Sequence, residues 1–153
     1  MPNIEVRCEE ISTPQWISGV SSFLLQVLGM LSYSNWDISI LFCNDSFIRR
    51  LNKMYRTIDA PTDVLSFEQG DSYYDAAGEC RFNAGDIVIS LETLKSNAVF
   101  FNVPVDEELK RLLIHGVLHL SGMDHSDNDP KQEMLILQEH ILAECMGTVI
   151  CQE

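Results

Sequence analysis

Residues 115 to 125 read HGVLHLSGMDH, and these eleven positions hold three of the chain's four histidines. The string constrains the fold more than any other feature. His115 and His119 stand four apart, so on a helix both imidazoles leave one face and reach a single ion. The flanking residues predict that helix from Pro104 to Leu120: Pro104 suits a first helical turn, and Asp106, Glu107 and Glu108 complement its dipole. Gly122 offers the stop, because glycine enters the left-handed conformation that ends many helices at no steric cost. A few turn residues then deliver His125 from another direction as a third nitrogen ligand. Three protein ligands with an open fourth position are the pattern of catalytic zinc, whereas structural sites fill all four. In the more familiar HExxH signature a glutamate follows the first histidine. Gly116 stands there and cannot act as a general base, which weakens a metalloprotease reading. His140, alone on the last helix, reads as an ordinary residue.

Apolar periodicity supplies the remaining elements. Ile4 and Val6 alternate with polar neighbours over Asn3 to Glu9, a half-buried strand. Thr13 and Pro14 open a helix whose apolar face runs from Trp16 to Leu31. Trp36 to Cys43 reads as a strand, and Asn44 caps a helix carrying Phe47, Ile48, Leu51 and Met54. A turn over residues 57–62 precedes the short strand Val64, Leu65, Phe67. A loop from Gln69 to Ala84 leads to the strand Ile87, Val88, Ile89. Leu91 to Phe100 is helical, and a last helix from Pro130 to about Met146 follows an Asp129 cap. At 153 residues, with neither an internal repeat nor a linker, a single domain over 1–153 is expected.

The net charge of −13 argues against broad adhesion to nucleic acid or anionic membrane, so any nucleic-acid site must be a local patch. Arg49, Arg50, Lys53 and Arg56 supply one, four of ten cationic residues within eight positions. A phosphodiester cleaved at a metal needs a cation on its nonbridging oxygens, and guanidinium geometry suits phosphate, which favours Arg56. Neutral imidazoles leave the ion's charge uncompensated, which lowers the pKa of bound water. Asp124 either orients a ligand and accepts a proton or simply caps the turn. The apolar run from Val20 to Leu31 is too short and too polar to span a bilayer, and Met1 to Glu10 lacks the basic start of a secretory signal. Five cysteines without a CxxC pair suit reduced thiols, and a cytoplasmic location is expected.

His115, Gly116, Leu118, His119, Leu120, Gly122, Asp124 and His125 form the string HGxLHLxGxDH, which resembles the hallmark of the YbeY family of metal-dependent endoribonucleases. YRTIDAPTDVLSF, from Tyr55 to Phe67, and GDIVIS, from Gly85 to Ser90, are similar to two further family blocks. In the family a proline usually follows the Ser and Phe of the second block; here Glu68 stands instead. The resemblance implies an α+β fold, a small mixed four-stranded sheet flanked by about five helices. It implies one zinc per chain on His115, His119 and His125, and Arg56 as a functional residue in the cleft. It further implies a single-strand endoribonuclease in ribosomal RNA maturation, at the 3′ end of 16S rRNA, and in ribosome quality control. Expected partners are single-stranded RNA and the ribosome or its small-subunit proteins, with neither DNA nor membrane among them. Thr62, Asp63 and Ser66 line the cleft if the second block folds against the metal helix. Two other functions stay open on the residues alone: a zinc-stabilised, noncatalytic assembly factor that docks through the basic helix, and a metal-dependent amidase or peptidase.

Overall fold

Two apolar strand runs, ISILF and DIVIS, become the centre of a sheet covered on both faces, which is why they read as nearly continuous apolar stretches. The structure, a computed structural model, describes residues 1–125, 128–129 and 132–151. Its elements are β1 (Asn3–Cys8), α1 (Ser18–Met30), β2 (Trp36–Cys43), α2 (Asp45–Arg56), β3 (Val64–Tyr74), β4 (Cys80–Ser90), α3 (Leu91–Phe101), α4 (Val105–Leu120) and α5 (Glu133–Glu144). The sheet order is β1-β2-β4-β3, with β1, β2 and β4 parallel and β3 antiparallel to β4. This is the expected α+β architecture, four mixed strands and five helices.

Alternate residues of the central strands divide between two cores. Trp36, Ile38, Ile40 and Phe42 of β2, with Ile87 and Ile89 of β4, join the main core with α1, α4 and α5. Leu41, Cys43, Leu65 and Val88 point the other way, onto Ile48 of α2 with Phe47 and Leu51 beside it. Burial pushes the Cys43 thiol up to about 12. The chain after α5 is tied back to α4 through buried Lys110. Its Nζ donates to the carbonyls of Cys145 (3.3 Å) and Thr148 (2.7 Å) and pairs with Asp106 (2.9 Å). Among the described residues no helix is long and apolar enough to cross a membrane.

Four boundaries differ from the sequence reading. The segment from Gln69 to Ala84 is mostly hairpin rather than loop: β3 extends to Tyr74, and Asp75 Oδ1 accepts from the amides of Ala77 and Glu79 in the turn before β4. Residues 68–74 are exposed on both faces, so no period-two signal marks them. A register shift between Glu68 and Asp71 disrupts the pattern further. In α1 the predicted start at Pro14 is a run of i→i+3 turns, Ile17 N to Pro14 O and Gly19 N to Trp16 O, and the α-helix begins only at Ser18. Pro104 is extended (φ −60°, ψ 148°) and sits at the N-cap of α4 rather than in its first turn. α5 starts at Glu133 after an extended Gln132; Pro130, the expected first residue, lies outside the described residues.

Candidate metal centre

Ten of the sixteen residues of α4 are buried, so the helix is packed nearly all round except along the stripe that carries His115 and His119. Gly116 allows the closest approach. A Cβ there would lie 2.6 Å from Ile87 Cδ1 and 2.9 Å from its Cγ1 and Cγ2, so this turn of α4 rests on β4 with no room for a side chain. The helix ends as Gly122 predicts. Gly122 has φ +97°, its amide donates to His119 O (3.0 Å), and Met123 N donates to Leu118 O (3.1 Å), the paired bonds of a Schellman motif. The chain then turns and brings His125 back to the other two histidines.

Ligand atoms of His115, His119 and His125 all lie within 4.8 Å of one another. The Nε2 atoms of His115 and His119 are 3.0 Å apart, and ring centroids are separated by 4.5 to 5.5 Å. Imidazoles at about 2.0–2.1 Å from a tetrahedral zinc hold their nitrogens roughly 3.3 Å apart, so the cluster fits one ion with small side-chain adjustment. Burial lowers the pKa of His115 against the opposing effect of Gln138; burial and the neighbouring His115 and His125 lower that of His119. Both rings are thereby biased to the neutral form that binds metal.

His115 and His119 face a cleft of about 840 Å³. One wall is His115, His119 and Leu120 with Gly122, Met123 and Asp124 of the turn; the other is Val64 to Gln69 of β3, with Arg56 beside it. The second sequence block therefore folds against the metal helix and places Ser66 in the cleft. Thr62 and Asp63 do not line it; Asp63 Oδ2 instead accepts from Asn97 Nδ2 (3.1 Å). Glu68 adds a carboxylate to the wall. Arg56, the last residue of α2, donates from Nη2 to Ser66 O (2.9 Å) with its guanidinium 5.2 Å over the Phe67 ring. Asp124 is 85% exposed; its Oδ1 accepts from His125 N (2.8 Å) and lies 4.0 Å from His119 Nδ1, so turn capping and proximity to a ligand coexist.

The other three cations are exposed but paired. Arg49 Nε meets Asp59 (2.8 Å), Lys53 reaches the same carboxylate at 3.9 Å, and Arg50 meets Glu10 (2.5 Å). The Arg49 hydrogen bond holds the Asp59 carboxyl below its usual range. None of the three lines the histidine cleft. Sequence reasoning also missed Gln138, buried on α5, whose Oε1 lies 2.6 Å from His115 Nδ1. A signal was present: Gln138 interrupts the apolar stripe of Met134 and Ile141, where periodicity calls for another apolar residue.

A family model described as Endoribonuclease YbeY matches residues 3–146. The chain belongs to the YbeY endoribonuclease family. A YbeY endoribonuclease of Treponema denticola is 66% identical over 123 residues, covering 80% of this chain and 79% of its own. That of Treponema pallidum is 57% identical over 141 residues, covering 92% and 88%. A solution structure of a Thermotoga maritima protein superimposes with a TM-score of 0.66 at 26% identity, over 94% of this chain and 89% of its own. Membership of the YbeY family makes the chain an RNA-cleaving enzyme and sets aside the peptidase and noncatalytic alternatives.

Proposed function

We propose that the protein is a zinc-dependent endoribonuclease acting on single-stranded RNA, with ribosomal RNA as substrate, maturation of the 16S 3′ end and ribosome quality control as its roles, and small-subunit components as partners in the cytoplasm. The observation that carries the reading is a cluster of three convergent imidazoles, two of which, His115 and His119, form one wall of a cleft that has a guanidinium at the other. His115, His119 and His125 hold the ion. When bound, it supplies Lewis-acid chemistry, acidifying water and polarising a phosphoryl oxygen. Arg56 binds the nonbridging oxygens of the scissile phosphate, for which it exchanges its bond to the Ser66 carbonyl. Asp124, next to His119, orients that ring or takes up the proton released. Arg49, Arg50 and Lys53 guide the flanking RNA backbone.

Elemental analysis of the purified protein, alongside cleavage of single-stranded RNA with casein as control, tests the reading. One zinc per chain together with RNA cleavage is the expected result. Metal-free protein that cuts RNA at full rate after exhaustive chelation would overturn it.

A further inference from the structure

Gln138 offers His115 one end of an amide, and which end it offers decides where the imidazole proton sits. The other end settles the matter. Gln138 Nε2 lies 3.1 Å from Glu139 Oε2, and a carboxylate only accepts, so the nitrogen of Gln138 faces Glu139. Glu139 is itself held by Arg111, with Nε 3.1 Å from Oε2 and Nη2 3.2 Å from Oε1. Arg111, which only donates, is fixed in turn by Glu107 (3.1 Å) and Glu108 (2.9 Å). Donor and acceptor roles therefore run in one direction: Arg111 donates to Glu139, Gln138 donates to Glu139, and Gln138 Oε1 is left to accept from His115 Nδ1 at 2.6 Å. Arg111 and His115 are one turn apart on α4 and the two bridging residues are adjacent on α5, so the chain of bonds closes a ring between the helices.

We propose that Gln138, oriented by the Arg111–Glu139 pair, is a positioning residue that holds His115 as its Nδ1–H tautomer with the Nε2 lone pair aimed at the cation. This rests on the metal assignment above and deepens it. An imidazole free to swap tautomers or rotate spends part of its time with a proton where the metal binds, and loss of such an outer hydrogen bond weakens metal sites by about 10–100-fold. His119 Nε2 lies 3.0 Å from His115 Nε2, so the lone pair enters the cluster directly.

Two measurements test the assignment. Long-range proton–nitrogen NMR of the wild-type protein, with and without zinc, reads the His115 tautomer; a proton on Nδ1 is expected in both, and a proton on Nε2 in the metal-free protein would overturn the proposal. Zinc affinity by competition with a chromogenic chelator is then compared across variants. Gln138→Leu is expected to bind zinc about 10–100-fold more weakly, whereas Gln138→Glu, which still accepts from Nδ1–H, stays within about threefold of wild type. Glu139→Ala, at a half-exposed position, is expected to weaken zinc binding less than Gln138→Leu does, by freeing the amide to flip. Wild-type affinity in both Gln138→Leu and Glu139→Ala would refute the brace. A wild-type protein that binds no zinc would instead remove the metal assignment and leave the NMR result to decide the role of Gln138.

Discussion

Helix α4 buries ten of its sixteen residues and α2 two of its twelve, yet each brings a side chain to the same cleft. Metal ligands must be held to within about half an ångström, and a helix clamped by the sheet, α5 and the chain after α5 provides that. A polyanion that slides through a groove needs cations that can change partners. On α2 those cations rest on Asp59 and Glu10, in exposed pairs of the kind that contribute little to stability. Phosphate can replace such carboxylates with little penalty. Rigidity thus belongs to the chemistry and exchangeability to the substrate, and Arg56, at the end of the exchangeable helix and the edge of the rigid site, serves both.

The largest expected effect lies on the rigid side. His119→Ala leaves two imidazoles, which do not retain zinc against water and buffer, so stoichiometric metal should vanish from elemental analysis; one zinc per chain in that variant would break the ligand set. Next comes the junction. Arg56→Glu should keep zinc and the melting temperature while RNA cleavage falls by about 10²–10³-fold, the usual loss when one charge-stabilising donor is removed. Near wild-type turnover would return Arg56 to a purely structural strut on β3.

Gly116→Ala probes the packing that makes α4 rigid. Alanine gains about 1 kcal/mol of helix propensity over glycine. The clash with fully buried Ile87 outweighs it, because overpacked cores lose roughly 1–3 kcal/mol, and urea unfolding should show a net loss. A more stable variant would mean that α4 floats on the sheet.

On the exchangeable side, replacing Arg49, Arg50 and Lys53 together by glutamine should flatten the dependence of RNA affinity on salt by roughly 0.7 in log–log slope for each phosphate no longer neutralised. An unchanged slope would show that these cations only face solvent. The smallest effect is Asp59→Asn, which frees Arg49 and Lys53 and should tighten RNA binding by no more than about fivefold at low salt. The sign follows from protonation. Asp59 is held charged below the ordinary carboxylate range, so in the wild type its competition with phosphate persists at neutral pH and fades only as pH falls through that lowered value.

Local chemistry explains what could be read from the residues. The spacing of His115 and His119, the left-handed Gly122 and the Asn44 cap, whose Oδ1 accepts from Phe47 N at 2.9 Å, all act within a few residues, and each appears where its pattern predicts. Gln138 could not be assigned in that way, because its partner is 23 residues away on another helix. The Arg50–Glu10 pair spans 40 residues, so a count of cations overstated the free charge of α2. The β3 arm of the hairpin was hidden for a different reason: a strand wet on both faces has no alternation to detect.

The contact between Gly116 and Ile87 also bears on evolutionary reach. A glutamate at position 116 would complete an HExxH string in a single codon-scale step, yet its Cβ would enter the side chain of a residue with no exposure at the centre of the sheet. Acquiring the carboxylate would therefore require a simultaneous retreat at position 87 and a new place for a charge that points into the core rather than the cleft. The route to an HExxH carboxylate at position 116 is closed by geometry, and a new general base would have to enter the cleft from another position.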